Sequence, residues 1–176
     1  MILHNDAVDA ILTRRSIRSY QAKQISEDAL ETILTAGQYA PSGMNQQSAK
    51  AIVVQSKERM QQLVQLAKAA EQVDHNPFYD APTVILVFAD ATQLAPLEDG
   101  CNVLENMMLA AHSLGLGSCW IHREREMFEL PEGKELLSQW GITEPLTGVG
   151  ALALGYPDGD APQPKPRKEG YIVKVL

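Results

Sequence analysis

Apolar and polar positions alternate in ways that divide the chain into helix-like and strand-like segments. Apolar residues recur at spacings of three and four behind capping residues such as Ser26, which is typical of amphipathic helices. Short runs rich in Val, Ile and Leu are typical of buried strands. The pattern predicts helices over residues 5–13, 26–37, 57–70, 96–114 and 132–140, and strands over residues 49–55, 83–89, 118–122 and 147–156.

The predicted helix over residues 96–114 and the C-terminal region point to contacts with a second chain. Residues 96–114 carry apolar side chains around much of the predicted helix, as a buried or interface helix does. Residues 157–168 contain four prolines, so we expect an extended arm there. The last residues, Y-I-V-K-V-L, have strand character and no evident partner in their own chain. We therefore expect this strand to add to the sheet edge of a second copy.

Length and composition favour one well-buried domain over residues 1–176, because the chain is 45% hydrophobic and shows no change of composition along its length. The 15 basic and 22 acidic residues argue against a general nucleic-acid or anionic-membrane surface. Cys101 and Cys119 form no C-x-x-C pair, which favours a reducing compartment. Without a basic leader or an apolar run of roughly 20 residues, we expect a soluble, cytoplasmic protein.

A cluster of cations is the exception in this acidic chain. R-R-S-I-R-S-Y places Arg14, Arg15 and Arg18 within five residues, at the end of the first predicted helix. Cations at that end of a helix can simply face water and the helix dipole. Further donors are available from Ser16, Lys165 and Arg167. Because a phosphate monoester favours charge-assisted donors from more than one segment, these residues together predict a phosphate site.

Other sequence features are better explained by packing than by chemistry. Gly148, Gly150 and Gly155 lack the G-x-G-x-x-G spacing and fall inside a predicted strand, so we interpret them as packing glycines. Cys119 and His122 would lie on opposite faces of a strand, which favours a buried structural cysteine over a thiol and its base. The isolated histidines, interpreted as ordinary surface or satisfied side chains, are His4, His75 and His112. No metal site is expected, and no Walker, H-E-x-x-H or G-x-S-x-G sequence occurs.

Five short blocks, taken in order, resemble the FMN-dependent nitroreductase family. They are R-R-S-I-R-S-Y, Y-A-P-S-G-M-N-Q-Q, L-G-L-G-S-C-W-I-H, A-L-G-Y-P and K-P-R-K, and they span nearly the whole chain. The resemblance implies an α+β nitroreductase-like fold with a mostly antiparallel central sheet flanked by helices. It also implies an entwined homodimer that exchanges C-terminal arms and builds two FMN sites from both subunits.

The same resemblance assigns the phosphate end of the flavin site. Arg14, Arg15 and Ser16 match the family's contacts to the phosphate and the ribityl chain. Lys165 and Arg167 match the residues of the arm that close on the phosphate. The anion for which the arginine cluster is suited would therefore be the 5′-phosphate of FMN.

The resemblance also assigns the residues that contact the flavin ring. Arg18 matches the cation near the pyrimidine edge, where it would raise the reduction potential. The loop that matches the contact to the other subunit's flavin contains Pro41, Ser42, Gly43 and Asn45. The segment that matches the ring edge contains Trp120, Ile121 and His122, and the backbone amide of His122 would donate to flavin N5.

These assignments imply an oxidoreductase in which NAD(P)H reduces FMN and leaves before a nitroaromatic, quinone or similar acceptor binds, a ping-pong cycle. One alternative is a non-catalytic flavin-binding or storage protein of the same fold. Another is a specialised branch that uses reduced flavin for dehalogenation or flavin breakdown. Arg18 and the W-I-H-R segment favour the enzyme, because storage requires no tuned surroundings at N1 and N5. The short region over residues 74–79, where larger members place covering helices, predicts an open pocket.

Overall fold

An antiparallel sheet forms the centre of the fold. The computed structural model describes residues 3–175, and within them one sheet has the strand order β1-β2-β4-β3. The strands are β1 (Ala49–Val54), β2 (Thr83–Asp90), β3 (Gly117–Ile121) and β4 (Leu146–Gly155). The helices are α1 (Asp6–Thr13), α2 (Glu27–Gln38), α3 (Lys57–Glu71), α4 (Pro96–Ser113), α5 (Glu124–Glu129) and α6 (Pro131–Gln139). The predicted α+β class is confirmed.

The strand β2 divides the core into two layers. Its side chains alternate between the faces of the sheet, and residues Thr83 to Ala89 are buried on both. Leu86 and Phe88 pack in the layer that also holds α3, α5 and α6. Ile85 and Val87 pack in the layer that holds α2 and α4. A strand covered on both faces needs a continuous apolar run, which explains why this element was predictable from sequence.

Small residues let α4 lie close to its neighbours. A Cβ on Gly37 of α2 would come within 2.5 Å of the Met107 side chain of α4. A Cβ on Gly100 of α4 would come within 2.5 Å of Val149 in β4. The first contact brings α2 close to α4, and the second brings α4 close to the sheet.

The helix α5 was not predicted. It has only six residues, too few for a helical period to stand out. Tertiary contacts account for it, because Met127 and Phe128 are buried and the Phe128 ring meets the Phe88 ring edge-on, with centroids 4.9 Å apart. This helix follows β3 directly and thereby fixes the path of the chain after His122.

Apolar surface remains exposed at both ends of the chain. The helix α1 has no buried residue, and Ile11 and Leu12 are 57% and 44% exposed. The prediction of a C-terminal strand is not met within the single chain, since Tyr171–Val175 form no strand and are exposed, while Leu176 lies outside the described residues. Pairing with a second copy stays a prediction. Among the helices of residues 3–175, none is long and apolar enough to cross a membrane.

Candidate functional site

The three clustered arginines occupy three different environments. Arg14 is half-buried, and its Nη1 is buried with no hydrogen-bond partner among the described residues. Arg15 caps the C-terminal end of α1, because its Nη1 donates to the carbonyl oxygens of Leu12 and Arg14 at 2.9 and 2.7 Å. Arg18 is exposed, and its guanidinium carbon lies 5.8 Å from the ring centroid of Tyr79. The helix-end interpretation therefore applies to Arg15, whereas the Nη1 of Arg14 lacks a partner among the described residues.

A cavity of about 280 Å³ adjoins this cluster. The polar and charged residues in its wall include Thr13, Arg14, Arg15, His112, Ser118 and Asp160. The segment after α1 is held against β3 by a bridge between Ser16 and Ser118, in which the Ile17 amide donates to the Ser118 carbonyl at 2.9 Å. Gly117 permits this approach, because a Cβ there would lie 2.9 Å from the Ile17 side chain.

This wall fits an anionic group. Leaving a buried guanidinium nitrogen without an acceptor costs about 1–3 kcal/mol or more. A ligand that supplies an acceptor to Arg14 Nη1 would remove this cost. A phosphate would supply charged acceptor oxygens to Arg14, while the capped Arg15 adds a fixed positive charge. The donors present therefore suit the phosphate end of FMN.

Three predicted phosphate contacts do not line this cavity. Lys165 and Arg167 are exposed, and Ser16 lies in the segment bridged to β3 without lining the cavity. The arm lines it only as far as Ala161, and its contribution includes the carboxylate of Asp160. A role for Lys165 and Arg167 thus requires the arm to close further, and it stays a prediction.

The surroundings of Arg18 are mostly neutral. Its hydrogen bond with Tyr79 raises the pKa of the guanidinium. Burial raises the pKa of Tyr20, whose hydroxyl donates to the Ile17 carbonyl at 2.6 Å. Burial likewise raises the pKa of Cys119, which is 2% exposed. The interpretation of Cys119 as a buried structural cysteine is confirmed, and Arg18 remains a cation with no carboxylate partner within the described residues.

The loop that contains Pro41, Ser42, Gly43 and Asn45 is anchored by a residue that sequence reasoning missed. Asp99 of α4 is buried, and its two oxygens accept from the Gly43 amide at 2.8 Å and the Ser48 hydroxyl at 2.7 Å. Within the single chain, Pro41 and Ser42 line a separate cavity of about 40 Å³ and do not reach the arginine wall. This separation is compatible with a loop that serves the other subunit's flavin, which stays a prediction.

The end of β3 sends successive side chains in different directions. Ile121 is buried in the layer of α3 and α5, whereas Trp120 packs in the layer of α2 and α4. The Trp120 indole lies over Gly150, where a Cβ would come within 2.3 Å of Nε1. His122 is exposed beside a cavity of about 90 Å³ that Gly148 also lines. The packing role predicted for the glycines of β4 is confirmed. His122 follows the last residue of β3.

Glu124 is a second buried carboxyl that sequence reasoning missed. It is 0% exposed and begins α5, directly after the W-I-H-R segment. Its Oε2 accepts from the Val87 amide at 3.3 Å, where the register between β2 and β4 shifts, and its Oε1 has no partner among residues 3–175. Burial raises the pKa of this carboxyl well above its ordinary value. The hydrogen bond from the Val87 amide ties the start of α5 to the sheet. No hydrophobic or charge pattern in the sequence distinguishes it from the exposed glutamates nearby.

His112 is a satisfied histidine, as expected, because its Nε2 lies 2.8 Å from the Thr13 hydroxyl oxygen. The sequence did not indicate that it also lies in the wall of the arginine cavity. It belongs to the last turn of α4, and only the packing of α4 against α1 brings it there. In the described part of the chain, no group of three or more His, Cys, Asp and Glu residues is arranged to hold a metal ion.

Comparisons with known proteins agree with this architecture. Residues 11–156 match the Nitroreductase family. The chain is 31% identical over 192 residues to an FMN reductase (NAD(P)H) of Bacillus subtilis, covering 93% of this chain and 70% of that protein. It is 30% identical over 181 residues to an NADPH-flavin oxidoreductase of Vibrio harveyi, covering 96% and 72%. The crystal structure of a nitroreductase with bound FMN from Bacteroides fragilis matches with a TM-score of 0.91 at 33% identity, covering 98% of this chain and 100% of that one. This chain belongs to the nitroreductase family.

Proposed function

We propose that this protein is an NAD(P)H-dependent FMN oxidoreductase that reduces nitroaromatic, quinone or similar acceptors. The observation that carries the proposal is the buried, unpartnered Arg14 Nη1 in the wall of the 280 Å³ cavity. Relatives named for FMN reduction and for bound FMN support the choice of anion. When bound, FMN would accept a hydride from NAD(P)H and then pass it to the acceptor, in ping-pong order.

The chain's own part begins with holding the phosphate. Arg14 would pair with the phosphate oxygens, and Arg15, fixed by the α1 carbonyls, would add charge from a rigid position. Ser16 would donate its hydroxyl from the segment bridged to β3. Lys165 and Arg167 would close from the exposed part of the arm, beyond Pro157 and Asp158, which are tied to Tyr20 and Ser19.

At the ring end, the residues would set orientation and charge. Arg18 would place a cation beside the pyrimidine edge, where negative charge develops on reduction. The His122 amide, directly after the end of β3, would donate to N5. Trp120 and Ile121 would support this segment from the two core layers.

We propose a homodimer in which the loop of Pro41, Ser42, Gly43 and Asn45 reaches the partner's flavin. The exposed apolar side chains of α1 and of Tyr171–Val175 support this, because they lack cover within the described chain. A reducing, cytoplasmic setting fits the free thiols of Cys101 and Cys119.

The phosphate assignment is tested by replacing Arg14 and Arg167 together with alanine. Each charged hydrogen bond lost contributes about 1.5–3 kcal/mol, so the FMN dissociation constant should rise at least about tenfold per arginine. The double variant should therefore purify as a folded dimer without FMN. A matched variant, Arg59→Ala with Lys134→Ala, removes two cations outside the cavity and should keep its FMN. Full flavin occupancy in the Arg14/Arg167 variant would contradict the assignment.

A further inference from the structure

His112 extends the arginine wall from a different element. It lies in the last turn of α4 and lines the same cavity as Arg14 and Arg15. Its Nε2 lies 2.8 Å from the Thr13 hydroxyl oxygen at the end of α1. Three positively chargeable side chains from two elements therefore face one cavity.

The hydrogen bonds of Thr13 determine the tautomer of His112. The Thr13 hydroxyl lies 2.6 Å from the Asp9 carbonyl, which can only accept, so the hydroxyl proton is used there. The hydroxyl oxygen must then accept from His112, whose proton is on Nε2. In the neutral imidazole, Nδ1 is left as the nitrogen that can take up a second proton.

The charges around His112 disfavour that second proton while the cavity holds no anion. Burial lowers the pKa of His112, and the guanidinium groups of Arg14 and Arg15 lower it further. The carboxylate of Asp160 on the arm also lines the cavity and has the opposite effect on the pKa. On the helices themselves, Glu105 lies two turns earlier on α4, and the Asp9 carboxylate of α1 is paired with His4. An anion between the arginines and His112 would offset the repulsion that lowers its pKa.

We propose that His112 takes up a proton when the phosphate of FMN binds, which makes it a third cation of the phosphate site and makes FMN affinity depend on pH. This inference rests on the proposed function, because it concerns the same cavity and the same ligand. It assigns to His112 a binding role at the phosphate and none in hydride transfer.

The sign of the effect follows from linkage. His112 has a lowered pKa in the free protein and a higher one in the complex, so binding takes up a proton. The contribution of His112 to affinity is then fully present below the free-state pKa and is lost as pH rises through the pKa of the complex. The phosphate itself acts oppositely, because it loses its second proton near pH 6 and gains charge as pH rises. The ionisation of the phosphate affects wild type and a His112 variant equally, so comparing the two proteins removes its contribution.

The binding experiment uses flavin fluorescence to measure dissociation constants at pH 6 and pH 8 for wild type, His112→Gln and His75→Gln. A pKa rise of one unit on binding corresponds to about a tenfold gain in affinity. The full gain is reached only below the free-state pKa, which is lowered. For FMN, the ratio of the His112→Gln constant to the wild-type constant should therefore be larger at pH 6 than at pH 8, by at most about tenfold. For riboflavin, which lacks the phosphate, the ratio should not change with pH. His75 lies outside the cavity, and its variant should follow wild type.

A titration of the His112 ring by NMR needs no variant of the site. Its pKa should rise when FMN is added to the wild-type protein and should not rise with riboflavin. If FMN binds and Arg14→Ala weakens it, but the His112 pKa stays unchanged, this inference is wrong and the proposed function stands. If wild type binds no FMN, the proposed function and the inference both fail.

Discussion

Replacing Glu124 by glutamine should make the protein more stable than wild type at neutral and alkaline pH. The Glu124 carboxyl is 0% exposed, receives one hydrogen bond of 3.3 Å from the Val87 amide and has an unpartnered Oε1. Burial raises its pKa in the folded protein well above the value in an unfolded chain. Glutamine keeps the shape and an acceptor oxygen but has no charge to bury.

The magnitude follows from the number of protons bound. A group whose folded pKa is raised holds its proton in the native state while the unfolded chain has released it. Native stability therefore falls as pH rises above the unfolded pKa, with a slope of about 1.4 kcal/mol per pH unit, and the fall ends at the folded pKa. The Glu124→Gln variant lacks this term, so the difference in unfolding free energy between the two proteins should grow with that slope.

Urea unfolding at pH 5, 6, 7 and 8, at one protomer concentration, measures the difference. The matched control is Glu126→Gln, because Glu126 is on the same helix but is paired with Arg123 at 3.1 Å, and its pKa is lowered. The unfolding free energy of Glu126→Gln should not increase relative to wild type as pH rises. Parallel pH profiles for wild type and Glu124→Gln would refute the claim that burial raises the pKa of Glu124.

Two further substitutions test the packing that supports the site. Gly133→Ala should lower the melting temperature by several degrees, because the new Cβ would come within 2.2 Å of the Met127 carbonyl oxygen. The overpacking costs about 1–3 kcal/mol, which exceeds the gain of about 0.5–1 kcal/mol from the higher helix propensity of alanine. An unchanged melting temperature in calorimetry would contradict this. Asp99→Ala should weaken the binding of FMN and of riboflavin equally, because the Gly43 amide and the Ser48 hydroxyl lose their shared acceptor and the loop of Pro41, Ser42, Gly43 and Asn45 loses its anchor. Flavin titrations that match wild type would show that this loop does not reach the flavin ring.

Elements set by local pattern were predictable from sequence. The strand β2 and the helix α4 lie within a residue or so of their predicted bounds, since a continuous apolar run and a long helical period are readable without knowledge of the fold. The six-residue α5 was missed because its stability comes from the contact of Phe128 with Phe88 on a distant strand. Local signals cannot report such a contact.

The charged cluster of the site was predictable from the sequence, whereas the buried and packed residues around it were not. The blocks of sequence indicated Arg14 and its neighbours because charged residues stand out in an acidic chain. The roles of Asp99 and Glu124 depend on burial, which turns an ordinary helical carboxylate into an anchor for a loop or a sheet. His112 reaches the cavity only through the packing of α4 against α1. Each of these residues depends on contacts between elements far apart in sequence.

The central claim is that this chain holds FMN and passes electrons from NAD(P)H through it. An anaerobic titration of the FMN-reconstituted protein with NADH and then NADPH, followed in the visible flavin band, tests it most directly. We expect at least one nucleotide to bleach the flavin band and the band to return when a nitroaromatic or quinone is added. Bound flavin that neither nucleotide bleaches would contradict the oxidoreductase and favour a flavin-binding protein without turnover.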